Sequence, residues 1–256
     1  MLQKYTFIMT CREPGAVRGL GGAEAHGLLF SLLKEVDEAA TTSLHNAVEK
    51  PFALGVPTGT WNRERDFSLS NEGEMYSFTV SCLTPEMSSL VEQAAAAWQG
   101  RNVRLGNGVF SGEEITIEFP SGVQYQDILT RPRLPGEINL EFRTPTSFRQ
   151  RGNQILFPLP ERVFGSLLQR WNSFSPLKLP ENTDFSLVRV KRYTLRTEMV
   201  IFERYMVAGF VGRCAYNLPG KYDDLLAFQV HTLARFAEFA GVGYKVTMGL
   251  GEVSLI

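Results

Sequence analysis

The sequence predicts an α+β chain built from two tandem ferredoxin-like (RRM-like, βαββαβ) domains, residues 1–125 and 126–256. Three observations carry this expectation. Each half runs strand, helix, two strands, helix, strand in the same order, although the two halves share no visible letter identity. A segment at about 122–136, with Pro132 and Pro135 and a shift in charge, reads as a linker between them. The length of 256 residues, with a hydrophobic fraction of 44%, suits two small cores better than one.

The first half opens with "KYTFIMTC", an alternating run rich in aromatic and β-branched residues that predicts a strand. A glycine-rich turn, "EPGAVRGLGG", leads into "AEAHGLLFSLLKEVDEA", where Ala25, Leu28, Leu29, Leu32 and Val36 form one helical face. The polar stretch "TTSLHNAVEKPF" reads as a connection, followed by a short strand in "KPFALGVP" and a longer one in "EMYSFTVSCL". In "TPEMSSLVEQAAAAWQG", Thr84 is placed to cap a helix, Pro85 falls in its first turn and Gly100 lies beyond its end. "RNVRLGNGVF" and "EEITIEF" read as the closing strands.

The second half repeats the order. "EINLEFRTPTSF" is a strand and "LPERVFGSLLQRWNSF" a helix with Pro160 near its start. "FSLVRVKRYTLRTEMVIF" and "RYMVAGFVGRCAY" are strands, and "YDDLLAFQVHTLARFAEFA" is the second helix. Asp223 and Asp224 in its first turn complement the helix dipole. The glycine-dense stretch "GVGYKVTMGLGEVSLI" then ends in a strand.

No window approaches the roughly 18 apolar residues that span a membrane, and the first residues do not read as a signal peptide. Cys11, Cys82 and Cys214 are scattered, which fits reduced thiols in a cytoplasmic protein. Neither they nor His26, His45 and His231 have metal-ligand spacing, so no metal and no cofactor are expected. The net charge of −1 is unevenly spread. Residues 1–119 carry 9 Lys/Arg against 15 Asp/Glu, whereas residues 120–215 carry 14 against 8. A basic segment inside a near-neutral chain is compatible with a polyanion on one face.

Glycine-dense segments suggest a phosphate, but the nucleotide motifs fail. A Walker A loop around Gly220 and Lys221 lacks its first glycine, where Ala215 stands, and its hydroxyl, where Tyr222 stands. The "GLGGAE" turn has the Rossmann context, yet Glu24 occupies the third glycine position and would repel a pyrophosphate. No nucleophile elbow is present. The histidines remain. His26 lies in the first turn of its helix, whose positive end keeps an imidazole neutral and fit to act as a base; a half-buried structural histidine is the alternative. His45 lies five residues before Lys50, and such a pair converging on a phosphodiester suffices for metal-free RNA cleavage. His231 reads as structural. In "FSLVRVKRYTLR", Arg189, Lys191, Arg192 and Arg196 interleave with Leu187, Val190 and Tyr193, a pattern that suits an RNA backbone or an ordinary exposed strand.

The run "FAEFAGVGYKVTMGLGEV" resembles the glycine-rich signature of the RAMP superfamily, and more narrowly the CRISPR-associated endoribonucleases that cut precursor CRISPR RNA within its repeats. "LEFRTPTSFRQRG", "PLPERVFGSLLQRWNSF" and "GFVGRCAYNL" are similar to that family's second domain, and "AHGLLFSLLKEVDEA" and "LHNAVEKPFALGVP" to its catalytic side. The likeness is weakest over about 58–75 and 106–136. It implies that Gly241, Gly243, Gly249 and Gly251 shape an RNA-facing loop from which Tyr244 and Lys245 project. Arg149, Arg151, Arg189, Lys191 and Arg192 are added as RNA-binding positions. His45, His26 and Lys50 match catalytic positions, with the two histidines as an acid/base pair. The implied reaction is metal-independent attack by the RNA's 2′-hydroxyl, leaving a 2′,3′-cyclic phosphate and a 5′-hydroxyl. The implied partner is CRISPR repeat RNA; a multi-subunit CRISPR effector complex and a homodimer are compatible with it, and a membrane has no part. The alternative is a non-catalytic RNA-binding subunit of a CRISPR ribonucleoprotein with the same fold.

Overall fold

A computed structural model of the chain describes residues 1–129, 136–218 and 224–256. The first half contains β1 (Gln3–Glu13), β2 (Ala16–Arg18), α1 (Gly22–Val36), α2 (Glu38–Asn46), β3 (Phe52–Leu54), β4 (Thr58–Gly59), β5 (Asn62–Arg63), β6 (Phe67–Leu69), β7 (Met75–Cys82), α3 (Pro85–Ala95), β8 (Asn102–Leu105) and β9 (Gly108–Ile117). The main sheet is antiparallel with the order β3-β7-β1-β9-β8. Counting β1, β3, β7 and β9 as the repeat strands, this is the ferredoxin-like arrangement with β8 added at one edge. Along β1, Tyr5, Phe7, Met9 and Cys11 are buried while their neighbours are half-exposed, as an alternating strand with one covered face requires. α1 covers that face with Ala25, Leu28, Leu29, Leu32 and Leu33.

Two expectations in this half need correction. The stretch holding His45 is the helix α2, not an irregular connection. Asp37 stops α1 in extended geometry (φ −151) and its side chain accepts from Ala40 N at 2.8 Å, so one residue ends one helix and starts the next. "RNVRLGNGVF" is not one strand but a hairpin, in which Leu105 pairs with Gly108 and Gly106 takes a left-handed φ of 63.

The second half contains α4 (Tyr125–Ile128), β10 (Glu137–Thr146), β11 (Phe148–Gln150), β12 (Asn153–Ile155), α5 (Pro160–Phe174), β13 (Arg189–Ile201), β14 (Met206–Asn217), α6 (Asp224–Ala240) and β15 (Val253–Leu255). Its sheet order, β13-β14-β10-β15, repeats the ferredoxin-like pattern. Leu140, Phe142, Phe164, Leu167, Trp171, Tyr216, Val230 and Phe236 belong to its core, which also takes in Leu2 and Leu83 from the first half. A fully buried Leu or Phe in such a core is worth about 1.5–3 kcal/mol in transfer terms. The expected linker lies in part, and Gly220, Lys221, Tyr222, Asp223 and the Asp224 side chain lie entirely, outside the described residues. Among the described residues no helix is long and apolar enough to cross a membrane.

The halves meet in a third apolar cluster. Val200, Phe202 and Val207 from the far end of the β13–β14 hairpin join Leu250 of the glycine loop, against Leu20 and Ala23 at the start of α1. This seam brings the last loop of the chain to its first helix.

Candidate active site

The loop after α6 is shaped by contact with its own chain. Gly243 has φ 85, and a Cβ there would lie 2.4 Å from the carbonyl oxygen of Ser147. Gly241, Gly249 and Gly251 are buried. A short 3-10 turn, Val246–Met248, rests on the N-terminus of α1, where a Cβ at Gly22 would lie 2.0 Å from the carbonyl oxygen of Met248.

That packing presents a carbonyl to His26, whose Nδ1 lies 2.8 Å from Thr247 O. A carbonyl only accepts, so Nδ1 donates and the neutral ring carries its free lone pair on Nε2. Burial lowers the pKa of His26 below its ordinary value; the bond to Thr247 opposes this, and the charges of Lys50, His45 and Lys245 add to the lowering. The imidazole is therefore held in its neutral form. Its ring packs on Phe30, one turn along α1, with centroids 4.5 Å apart, and on Phe52 at 6.0 Å.

His45 stands exposed in the last turn of α2, edge-on to the same Phe30 ring at 5.6 Å. The two legs through Phe30, 4.5 and 5.6 Å, keep the imidazole centroids within about 10 Å of each other. Lys50 Nζ donates to His45 O at 2.9 Å and to Ala47 O at 2.8 Å, closing the carbonyl end of α2. Two of its three donors are thus committed and one is left for a ligand. Burial lowers the pKa of this ammonium.

Lys245, with a left-handed φ of 61, turns its ammonium into an aromatic enclosure. Its Nζ lies 5.0 Å from the ring centroids of Phe202 and Tyr205, 5.2 Å from Tyr244 and 3.3 Å from Met248 Sδ. The Arg149 guanidinium sits 4.1 Å from the Tyr244 centroid, and Arg151 is exposed in the turn after β11. The structure thus gathers His26, His45, Lys50 and Lys245 at one end of the seam, with Arg149 beside Tyr244. It does not bring Arg189, Lys191 and Arg192 there. They occupy the opposite end of the 13-residue strand β13, some 30–40 Å from the seam at about 3.3 Å per residue. Lys191 and Arg192 both bind Glu137, each at 2.5 Å. His231 is buried on α6.

A cleft of about 340 Å³ opens between the domains on the side of Gly55 and Thr79. Its cations face acids, Lys4 against Glu118 at 3.5 Å and Arg143 against Glu252 at 3.9 Å, so it offers a polyanion little free positive charge. Sequence reasoning passed over Phe30, which touches both His26 and His45, and Phe202 and Tyr205, which flank the Lys245 ammonium. The i, i+4 spacing of His26 and Phe30 was the available signal.

Comparison with known proteins matches residues 140–253 to the family model of CRISPR-associated endoribonuclease Cas6. The chain is 23% identical over 238 residues to the CRISPR-associated endoribonuclease Cas6 of Mycobacterium tuberculosis, covering 91% of this chain and 70% of that one. It is 23% identical over 236 residues to the Streptococcus thermophilus protein of the same name, covering 90% and 89%. Among solved structures, a Cas6 product complex superposes over 100% of both chains with a TM-score of 0.78 at 28% identity.

Proposed function

We propose that this chain, which belongs to the Cas6 family of CRISPR-associated endoribonucleases, cleaves precursor CRISPR RNA within its repeats by attack of the RNA's own 2′-hydroxyl. The observation that supports it best is the pairing of a neutral His26, its Nε2 free, with His45 across a single phenylalanine ring. The attacking 2′-oxygen and the departing 5′-oxygen lie roughly in line across phosphorus, and a hydrogen bond of about 2.8 Å on each side gives a span of about 9 Å. The upper limit of about 10 Å between the imidazole centroids leaves room for that span.

In this scheme His26 Nε2 takes the 2′-hydroxyl proton and O2′ attacks phosphorus. The P–O5′ bond breaks, and His45 gives a proton to the departing oxygen. A 2′,3′-cyclic phosphate and a 5′-hydroxyl result. Lys50, through its remaining donor, and Lys245 offset the charge that builds on the phosphoryl oxygens. Residues 1–125 then carry the proton transfers while 126–256 hold the RNA, through Tyr244, Lys245, Arg149 and Arg151. The reaction needs no metal or cofactor in this reading.

A second reading is a non-catalytic RNA-binding subunit of a CRISPR ribonucleoprotein. In its favour, His26 Nδ1 and two donors of Lys50 already serve the fold. Repeat RNA incubated with the protein in EDTA separates the two. The nuclease reading expects fragments ending in cyclic phosphate and 5′-hydroxyl, abolished by one 2′-deoxy substitution at the cut. RNA that is bound but left intact rejects it in favour of the second reading, and cleavage that survives the deoxy substitution rejects the 2′-hydroxyl mechanism.

A further inference from the structure

Arg170 of α5 crosses from the second domain to the segment that follows His45. Its Nη2 donates to Phe52 O at 3.2 Å and to Lys50 O at 3.4 Å, and its guanidinium lies 5.5 Å from the Phe174 ring centroid. The adjacent Gln169 donates through Nε2 to Glu49. Lys50 in turn binds the carbonyls of His45 and Ala47. A continuous chain of contacts therefore runs from α5 through the Lys50 and Phe52 backbone to the last turn of α2.

This is an expensive way to join two domains. Burial lowers the Arg170 pKa to about 10, which leaves the group charged at neutral pH while its solvation is lost. Among the described residues its buried Nε has no hydrogen-bond partner. Apolar contacts already hold the halves together, through Leu2 and Leu83 in the second core and through the seam at Phe202 and Leu250. A guanidinium adds direction: the two N–H groups of Nη2 lie in one rigid plane and are aimed at the carbonyls of Lys50 and Phe52, a constraint that an apolar side chain cannot supply.

We propose that Arg170 is a positioning residue, which fixes the Glu49–Phe52 loop from the second domain and, through Lys50, sets where His45 stands. The proposal rests on the nuclease reading for its effect on catalysis; the latch itself is testable without it. Arg170→Met keeps the aliphatic stem and removes the donors. The expected result is a single-turnover rate at saturating protein about 10–100-fold lower, with RNA affinity within about twofold, because a displacement near 1 Å suffices for such losses. The pH–rate profile should also lose the limb that His45→Ala removes and keep the limb that His26→Gln removes. Arg170→Lys, which keeps a cationic donor but loses the rigid plane, should recover part of the rate. An unchanged rate, or one scaled down equally at every pH, overturns the proposal. Amide hydrogen exchange over residues 45–52 in the RNA-free protein should rise about tenfold or more in Arg170→Met, with α1 unchanged. Should the parent protein cut no repeat RNA, the nuclease reading fails and this exchange decides the latch alone: faster exchange supports it and unchanged exchange overturns it. If Arg170→Met does not fold, Arg170→Lys carries the same comparisons.

Discussion

Gly22→Ala tests whether the glycine loop governs the chemistry from a distance. Gly22 opens α1 one turn before His26, and an added Cβ would sit 2.0 Å from Met248 O and 2.8 Å from its carbonyl carbon. Even the tightest spacing that real Cβ atoms adopt is 3.0 Å, so helix and loop must part by about 1 Å. Thr247 O is one residue away and must move with them. Its bond to His26, now 2.8 Å, then approaches 3.8 Å, which is about where a hydrogen bond ceases to exist. His26 loses the contact that fixes its tautomer and direction, and a misplacement of that size costs about 10²-fold in rate. Overpacking also costs about 1–3 kcal/mol of stability, or a fall in Tm of roughly 2–10 °C for a chain of this size.

The assay is single-turnover cleavage at saturating protein, with Kd measured separately and both well below the lowered Tm. Gly27→Ala is the control, since it lies next to His26 on the same helix and an added Cβ meets nothing within 4 Å. It should leave the rate intact and raise stability by about 0.5–1 kcal/mol. Gly22→Ala cleaving at the parental rate, or losing affinity and rate in equal measure, would refute the claim that the loop holds His26.

His45→Ala should slow cleavage by about two to four orders of magnitude with RNA affinity nearly unchanged; a parental single-turnover rate removes it from the site. Because burial holds His26 below its ordinary value of 6.5, its neutral form contributes stability that is present above pH 6.5 and lost as pH falls through the folded value. Thermal denaturation should show that loss, and the acid limb of the cleavage profile taken at subsaturating protein, which reports the RNA-free enzyme, should have its midpoint below 6.5; a midpoint above it contradicts the role of base. Glu137, whose pKa is drawn down to about 2 by hydrogen bonds from Lys191 and Arg192, competes with phosphate for both. If they face the RNA, Glu137→Gln should steepen the slope of log affinity against log salt by up to about 1.4, and an unchanged slope removes them from the interface.

The elements that could be read from the chain are those whose periodicity is long and clean. β1 alternates through Cys11 and α1 repeats its apolar face four times, so both are where the pattern puts them. α2 was hidden because "TTSLHN" has too few apolar residues to show a face, and its one strong signal, Asp37, also reads as part of the preceding helix. The β8 strand is four residues long, too short to separate from its partner by alternation. At the site, residue types were legible but their constraints were not. His26 is held by a main-chain carbonyl 221 positions away, and a carbonyl has no side-chain signature. Arg170 drew no reading from the sequence, because only the second domain's position on the first turns its side of the helix into a seam.

The glycine stretch suggested a backbone cradle for phosphate, and its hydrogen bonds argue for a different division of labour. Val242 N donates to Gly251 O, Tyr244 N to Ser147 O, Met248 N and Leu250 N to Lys245 O, and Gly251 N to Pro145 O. Those amides are committed to the fold, and a phosphate would have to break the loop to use them. The side chains beside them offer RNA another purchase: the Lys245 ammonium held among three rings, and Tyr244 with Arg149 against it. Such contacts give affinity that falls with salt and tolerates sequence. The same loop, through Thr247 O, sets the tautomer of His26. A bulky residue in it therefore acts on binding through Lys245 and on rate through His26, and the ratio of the two losses shows which end of the loop has moved.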